Sequence, residues 1–275
     1  MYRKSFLIIC LIGLLFTSVA TADPNLVAWW KMDAPNDTDQ SIVMDYSGNG
    51  YDGSKGGDSS WADGFLYFPG DNYSSGVQFD SADILGIFDS IDEQITISFW
   101  QKPDDGNARY DIYGGTSTTT TSKLGLEMFG SGTNNDLWAH LGANNDKLIR
   151  WGINNPESSN YLDFPQRWSM ITLTKDINGG ELIDPNNPAA GMTGSIKLYV
   201  DGEFLQETTS LNSWDDGGHP VNNSLAGIDA FEIASQDWAW YKGGLKDFRI
   251  YDRAITDSEV ADLTGGFFDQ ARQPE

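Results

Sequence analysis

Short apolar runs separated by polar clusters recur along most of the chain. Within residues 95–100, isoleucine or phenylalanine alternates with threonine, serine and tryptophan. Successive side chains of a strand point to opposite faces, so this period of two predicts a half-buried strand. Similar runs bounded by Asn, Asp, Gly and Ser predict further strands over 26–32, 41–45, 64–68, 76–79, 122–129, 136–141, 147–151, 168–175, 194–200, 203–206, 228–234 and 245–251. The pattern predicts an all-β chain.

Two pairs of these strands are predicted to form hairpins. Asp201 and Gly202 separate the runs at 194–200 and 203–206. An Asp-Gly pair suits the two-residue turn whose twist matches that of paired strands. The runs at 136–141 and 147–151 lie close enough along the chain to pair in the same way.

One short C-terminal helix is predicted after the strand at 245–251. Thr256 can cap the amide three residues on, and Glu259 can reach back to Thr256, which together form a capping box. Ile255 and Val260 occupy the flanking positions where an apolar pair often closes the start of a helix. The helix therefore begins directly after Thr256.

The beginning of the chain differs from the rest. Residues 1–22 contain a basic start, an apolar run over 6–16 and a small-residue cleavage site, as an export signal peptide does. The apolar run is shorter than the roughly 20 residues that a membrane-spanning helix needs. We therefore expect a secreted or otherwise extracytoplasmic protein with no membrane span. The remaining sequence predicts one domain over 23–265 and a flexible tail over 266–275.

The charge of the chain excludes one class of partner. Its 275 residues include 17 basic and 40 acidic ones, a formal net charge of −23. Such a surface repels the phosphates of nucleic acids and of anionic membranes, so we expect no nucleic-acid partner. The single cysteine, Cys10, lies within the predicted signal peptide. The domain is therefore expected to fold without a disulfide.

The end of the predicted domain resembles the last strand and closing helix of laminin-G-like domains, through GxLxDFRIYDRAIxxxEV at 243–260. Five further blocks look like family blocks in family order: 26–32 (LVAWWKM), 45–53 (DYSGNGYDG), 95–103 (ITISFWQKP), 167–173 (RWSMITL) and 196–202 (IKLYVDG). The resemblance implies a concanavalin A-like fold, a two-sheet antiparallel jelly-roll sandwich. Because this fold hosts lectins, adhesion modules and hydrolases alike, the function has to be argued from the site.

The turn at 45–53 is the best metal candidate. Calcium prefers about six to eight oxygen ligands, and this glycine-rich turn exposes backbone carbonyls beside Asp45 and Asn49. The resemblance implies a structural calcium where the N-terminal segment meets the last strand, with Asp247 as the ligand from that strand. The same residues allow a second interpretation, in which Asp45 caps its own turn and Asp247 pairs with Arg249.

A sugar site needs an exposed aromatic platform with polar side chains around it. The candidates are Trp214 and His219 in the polar loop at 210–223, and Trp238 and Trp240 just before the last strand. Most tryptophans of a two-sheet sandwich belong to its core. The four within the family strand blocks are assigned there: Trp29, Trp30, Trp100 and Trp168.

The sequence does not indicate catalysis. Hydrolases of this fold usually place two carboxylates on one strand in a Glu-x-Asp-x-Glu-type pattern, which the sequence lacks. Two histidines are too few for a histidine-based zinc site, and there is no Gly-x-Ser-x-Gly motif. We predict a noncatalytic module that binds a glycan or polysaccharide. The alternatives are a cell-surface or matrix adhesion protein with a protein partner and, second, a polysaccharide-degrading enzyme of the same fold.

Overall fold

The computed structural model describes residues 23–36, 38–70, 75–79, 87–88, 91, 93–104, 110–116, 123–131, 134–141, 149–151, 167–177, 192–211, 225, 228, 230–234 and 240–265. Within these residues, the elements follow in chain order: β1 (Leu26–Trp30), β2 (Ile42–Val43), β3 (Gly53–Lys55), β4 (Ser60–Ala62), β5 (Phe65–Pro69), β6 (Val77–Gln78), β7 (Gln94–Pro103), β8 (Tyr110–Thr116), β9 (Lys123–Ser131), β10 (Asn134–Leu141), β11 (Ile149–Trp151), β12 (Ser169–Asp176), β13 (Met192–Val200), β14 (Glu203–Leu211), β15 (Ala230–Ile233), β16 (Lys242–Tyr251) and α1 (Asp257–Gly265). The predicted signal peptide and tail lie outside the described residues.

The strands form two antiparallel sheets of eight strands each. In the first sheet the order is β14-β13-β12-β7-β16-β5-β4, and β1 pairs with β16 as well. In the second sheet the order is β11-β10-β9-β8-β15-β6-β3-β2. The last strand, β16, is central to the first sheet, because it pairs with β1, β5 and β7. The all-β, two-sheet antiparallel jelly-roll sandwich predicted from the sequence is confirmed.

The main core lies between the two sheets. Ile95, Ile97 and Phe99 of β7 point into it and are fully buried. Phe99 stacks on Phe248 of β16 with ring centroids 5.2 Å apart, and Phe231 of β15 contacts the same ring edge-on at 6.5 Å. Aromatic pairs of this kind stabilise a core beyond the area that they bury. The last strand is therefore joined to both sheets through one phenylalanine.

A second apolar cluster lies on the outer face of the first sheet, beneath α1. The helix starts as predicted, because the Thr256 and Glu259 amides donate to each other's side chains at 2.8 and 3.3 Å. The helix covers outward-facing residues of four strands, and the cluster comprises Trp100, Met170, Tyr199, Tyr251, Ile255 and Val260. Because α1 covers the outer face, β7 is buried on both faces. The alternation of its sequence alone predicts burial of one face only.

Both predicted hairpins are present. β13 pairs with β14, and the turn residues Asp201 and Gly202 have φ values of 52° and 81°, as a type I′ turn requires. β10 pairs with β11. The sequence pattern does not predict β3, β4 or β8, which are short, polar or glycine-rich: GSK, SWA and YDIYGGT. Their pairing partners, and not their own composition, make them strands.

Candidate functional site

A bulge in β16 turns Asp247 towards the outer face of the first sheet. The register of β16 with β7 shifts between Lys246 and Arg249, and Asp247 has a φ of 54°. A bulge adds one residue to a strand and re-aims its side chain, and aspartate tolerates this left-handed conformation better than most residues. The Asp247 amide donates to the carbonyl oxygen of Lys31 at 2.7 Å. The segment after β1 therefore holds the bulge in place.

Trp29 lies between two carboxylates, Asp45 and Asp247. Its neighbours Ala28 and Trp30 are fully buried in the core, so the alternation of β1 turns Trp29 outward. The Trp29 amide donates to Asp45 Oδ1 at 2.9 Å, and its indole Nε1 donates to Asp247 Oδ1 at 2.6 Å. One tryptophan thus connects the turn after β2 to the last strand.

The Asp45 carboxylate accepts four hydrogen bonds. Oδ1 accepts from the amides of Trp29 at 2.9 Å and Ser47 at 2.8 Å. Oδ2 accepts from the Ser47 hydroxyl at 2.7 Å and the Tyr51 amide at 3.1 Å. A carboxylate offers about four lone-pair sites, so all of them are used inside the protein. The bond to the Ser47 amide is the turn-capping interaction that the sequence allowed.

Arg249 neutralises Asp247. Its Nε and one terminal nitrogen donate to the two carboxylate oxygens, each at 2.9 Å, in the strong forked geometry of arginine and carboxylate. Burial pushes the pKa of Arg249 down, but the Asp247 carboxylate and the Tyr251 side chain together outweigh burial and raise the pKa overall. The guanidinium carbon also lies 4.8 Å from the ring centroid of Trp29. The ion pair forms a flat polar surface beside the indole.

An exposed ring completes the site. Tyr46 is 45% exposed, and its ring meets Trp29 edge-on with centroids 6.1 Å apart. The Lys31 ammonium lies 4.2 Å from the Tyr46 centroid and 4.8 Å from that of Trp29, within the range of cation–π attraction. We call Trp29, Lys31, Tyr46, Asp247 and Arg249 the Trp29 patch. It presents an aromatic surface, a cation and a planar ion pair on one face of the sheet.

A groove of about 550 Å³ lies elsewhere on the outer face of the first sheet, between β12, β13 and the start of α1. Its polar lining comprises Thr174, Asp176, Ser195, Lys197, Thr256, Asp257 and Ser258. The Asp257 carboxylate accepts from the Tyr199 hydroxyl at 2.7 Å and from Lys197 at 3.2 Å. These two bonds lower the pKa of Asp257. None of the described residues that line the groove is aromatic, so the Trp29 patch is the stronger candidate for ligand stacking.

Three of the four ligand-binding residues predicted from the sequence, Trp214, His219 and Trp238, lie outside the described residues. Trp240 is described: it lies two residues before the start of β16 and is half-buried, and its indole nitrogen is buried. Its role in binding stays a prediction.

The three predicted calcium ligands, Asp45, Asn49 and Asp247, already make hydrogen bonds within the protein. Asp45 and Asp247 lie on either side of Trp29, and their oxygens already accept hydrogen bonds from protein donors. The Asn49 side-chain amide donates to the Val27 carbonyl at 2.8 Å. Within the described part of the chain, no three His, Cys, Asp or Glu side chains are grouped to hold a metal ion. In this arrangement the three residues do not fit a calcium site, and the hydrogen-bonded interpretation describes the contacts.

The assignment of all four strand tryptophans to the core is wrong for two of them. Trp30 and Trp100 are buried, but Trp29 and Trp168 are half-buried on the outer face. Trp168 has the Lys246 ammonium 4.4 Å from its ring centroid. Two successive strand residues cannot both face one core. The adjacent tryptophans of β1 therefore carried a signal for one outward ring, which points to the Trp29 patch.

No helix in the described ranges is both long and apolar enough to cross a membrane.

Among curated protein sequences, none matches this chain significantly. Several solved structures are similar in fold at low identity, and the chain spans about half the length of each.

The receptor-binding domain of botulinum neurotoxin type G matches with a TM-score of 0.54 and 17% identity, covering 87% of this chain and 51% of that one. The binding domain of botulinum neurotoxin DC in complex with rat synaptotagmin II matches with a TM-score of 0.58 and 12% identity, covering 90% and 52%. The ligand-binding domain of botulinum neurotoxin serotype D in complex with N-acetylneuraminic acid matches with a TM-score of 0.57 and 15% identity, covering 88% and 51%.

Residues 70–261 match a laminin-G-type family model described as the concanavalin A-like lectin/glucanases superfamily. The match covers more than half of the chain, and it includes β6 to β16 and the first part of α1. The two-sheet topology agrees with it. The chain belongs to the concanavalin A-like lectin/glucanases superfamily.

Proposed function

We propose that this protein is an exported, noncatalytic module that binds a glycan through the Trp29 patch. The observation that carries the proposal is the exposed ring of Tyr46, set edge-on to Trp29 beside a planar ion pair. A sugar ring has an apolar face of C–H groups and a rim of hydroxyl groups. An aromatic surface with flat polar groups at its edge complements both.

The geometry of the patch favours binding because its parts are already in place. Trp29 is held by hydrogen bonds from its amide to Asp45 and from its indole to Asp247. The backbone of Tyr46 is held by a hydrogen bond from its amide to the carbonyl oxygen of Trp29 at 2.7 Å, and its ring contacts Trp29 edge-on. A ligand that meets preorganised rings loses little affinity to their ordering.

A binding role without catalysis is supported by solved structures of the same fold, which include a receptor-binding domain and a ligand-binding domain. The superfamily also includes glucanases, so fold alone decides nothing. Incubation of the purified protein with the polymer that it retains best tests this part of the proposal. Newly formed reducing ends or unsaturated products would show that the protein is an enzyme and not a noncatalytic binding module.

The main experiment measures retention of the purified protein on a panel of immobilised polysaccharides and glycans. Tyr46→Ala should weaken retention about tenfold, the usual effect of removing one well-packed aromatic contact. Phe204→Ala is the matched control, because Phe204 is also an exposed ring, 50% exposed, but lies on β14 at the edge of the sheet. Equal losses in both variants, or no retention of the wild type on any glycan, would overturn the proposal.

Adhesion to a protein partner is the second candidate function. It is favoured by one solved structure of the same fold, which is a complex with rat synaptotagmin II. The same Trp29 patch would then supply aromatic and arginine contacts, the side chains that contribute most to protein interfaces. A partner captured by the wild type and lost with Tyr46→Ala, without any glycan retention, would establish this function instead.

A further inference from the structure

The carboxylates of the Trp29 patch are engaged within the protein. Asp247 accepts from the Trp29 indole at 2.6 Å and from two nitrogens of Arg249 at 2.9 Å each. Asp45, beneath the patch, accepts four hydrogen bonds from backbone and hydroxyl donors. Neutral sugars are commonly held by carboxylates that accept from their hydroxyl groups, and such acceptors are not free here. The patch therefore has few acceptors to offer a ligand.

The Trp29 patch offers a ligand a hydrogen-bond donor, the Lys31 ammonium. The Lys31 ammonium contacts the rings of Tyr46 and Trp29, at 4.2 and 4.8 Å from their centroids. Within the described residues, no carboxylate lies within ion-pair distance of it. An ammonium has three N–H donors and no acceptor. The two rings hold the charge beside the most exposed aromatic surface of the patch.

We propose that the Trp29 patch selects an acidic sugar residue, one that bears a carboxylate, and that Lys31 is the residue that determines this specificity. The inference rests on the proposed glycan-binding function. The ring of Tyr46 packs against the apolar face of the sugar, and the Lys31 ammonium donates to its carboxylate in a charge-assisted hydrogen bond. A ligand with both an apolar face and an anion matches what the patch leaves free.

The charge of the whole chain limits the size of this ligand. A formal net charge of −23 repels any long polyanion as it approaches. Attraction by Lys31 and repulsion by the acidic surface are both screened over about 8–10 Å at physiological salt, so a ligand that reaches only Lys31 is attracted, whereas a longer polyanion also meets the repulsion. The ligand is therefore a short oligosaccharide or a chain end with one acidic residue, and not a continuous polyanion.

Calorimetric titration with two short probes tests the proposal. One probe ends in glucuronic acid, and the other is the same oligosaccharide ending in glucose. The wild type should bind the acidic probe about tenfold more tightly, as one charge-assisted hydrogen bond at a partly exposed site allows. Lys31→Met should lose this preference, and Lys31→Arg should keep most of it. Lys197→Met, which removes the same charge beside α1, should leave the preference unchanged.

Each outcome decides the proposal. Equal affinity of the wild type for both probes, or a preference that survives in Lys31→Met, would overturn the role of Lys31 while leaving glycan binding intact. If the wild type binds neither these probes nor any glycan of the panel, both this inference and the proposed glycan-binding function are wrong. A thermal melt of each variant accompanies the titrations. If Lys31→Met does not fold, the wild-type preference and Lys31→Gln decide the question.

Discussion

Replacing Asp45 by alanine is the sharpest test of how the site is built. Its carboxylate accepts from the amides of Trp29, Ser47 and Tyr51 and from the Ser47 hydroxyl, at distances of 2.7 to 3.1 Å. These bonds join β1, the turn and the approach to β3. Removal of the carboxylate would leave three backbone amides without their acceptor.

The size of the effect follows from the number of bonds. A hydrogen bond to a charged acceptor contributes about 1.5–3 kcal/mol when buried and less where water can replace it. Four part-buried bonds therefore predict a loss of about 3–4 kcal/mol for Asp45→Ala. Asp45→Asn keeps one acceptor oxygen and should lose about 1–2 kcal/mol. For a domain of this size, each kcal/mol lowers the melting temperature by about 2–4 °C.

Equilibrium unfolding in urea measures the loss, with an unchanged m-value as the check that only the native state is affected. Asp39→Ala is the matched control, because the Asp39 carboxylate accepts from the amide and hydroxyl of Ser41 in the same local pattern but at a fully exposed site. Its effect should be far smaller. A loss below about 1 kcal/mol for Asp45→Ala would refute the reasoning, because that is the contribution of a single ordinary bond.

The same variants decide the calcium prediction. If hydrogen bonds within the protein occupy all lone pairs of Asp45, the melting temperature of the wild type should be the same in excess calcium and in a chelator. A bound ion at about 100 times its Kd would add about 2.7 kcal/mol of stability. A calcium-dependent rise of that order, absent from Asp45→Ala, would show that the ion displaces the hydrogen bonds and that the sequence-based prediction is right.

Three further predictions concern stability. Trp30→Ala should cost about 3–5 kcal/mol in urea unfolding because its ring is fully buried, and Trp29→Ala clearly less; equal losses would contradict the outward orientation of Trp29. Gly243→Ala should cost about 3 kcal/mol, because its Cβ would overlap a backbone carbonyl of β7, whereas Gly57→Ala, with open space around it, should be near neutral. The pKa of Glu259 is lowered to about 2, chiefly by its hydrogen bond with Arg253. The modest, solvent-screened stabilisation from the Glu259 carboxylate is therefore present above its ordinary pKa and is lost as the pH falls through about 2. Glu259→Gln should flatten the change in the free energy of unfolding between about pH 5 and pH 2.

Much of the fold was predictable because its elements have local causes. The alternation at 95–100 makes a strand whatever its neighbours are, and the box of Thr256 and Glu259 satisfies the amides of a helix start wherever that helix lies. The polar strands β3 and β4 lack such a cause. Their backbones are extended because β6 and β5 present free hydrogen-bonding edges to them.

The sequence indicated the carboxylates beside Trp29 but not the rest of the Trp29 patch, because Lys31 and Tyr46 were not among the candidates and Trp29 was assigned to the core. Asp45 and Asp247 stand out by their turn chemistry and by the strand block that contains them. Their common partner Trp29 does not, because the bond between its indole and Asp247 joins residues 218 positions apart in the sequence. That bond also depends on a bulge whose φ of 54° no local pattern indicates. Long-range register, which sets both, is not encoded in any short segment.

The central place of β16 has a consequence for the order in which the molecule can form. This strand is the last of the described strands along the chain, yet β1, β5 and β7 all pair with it. Until it is available, three earlier strands have open edges, and their pairing requires closure of very long loops. Folding of the first sheet therefore cannot be completed before β16 has been synthesised and has left the ribosome. Any shortened product that ends before β16 exposes those edges and is prone to aggregate.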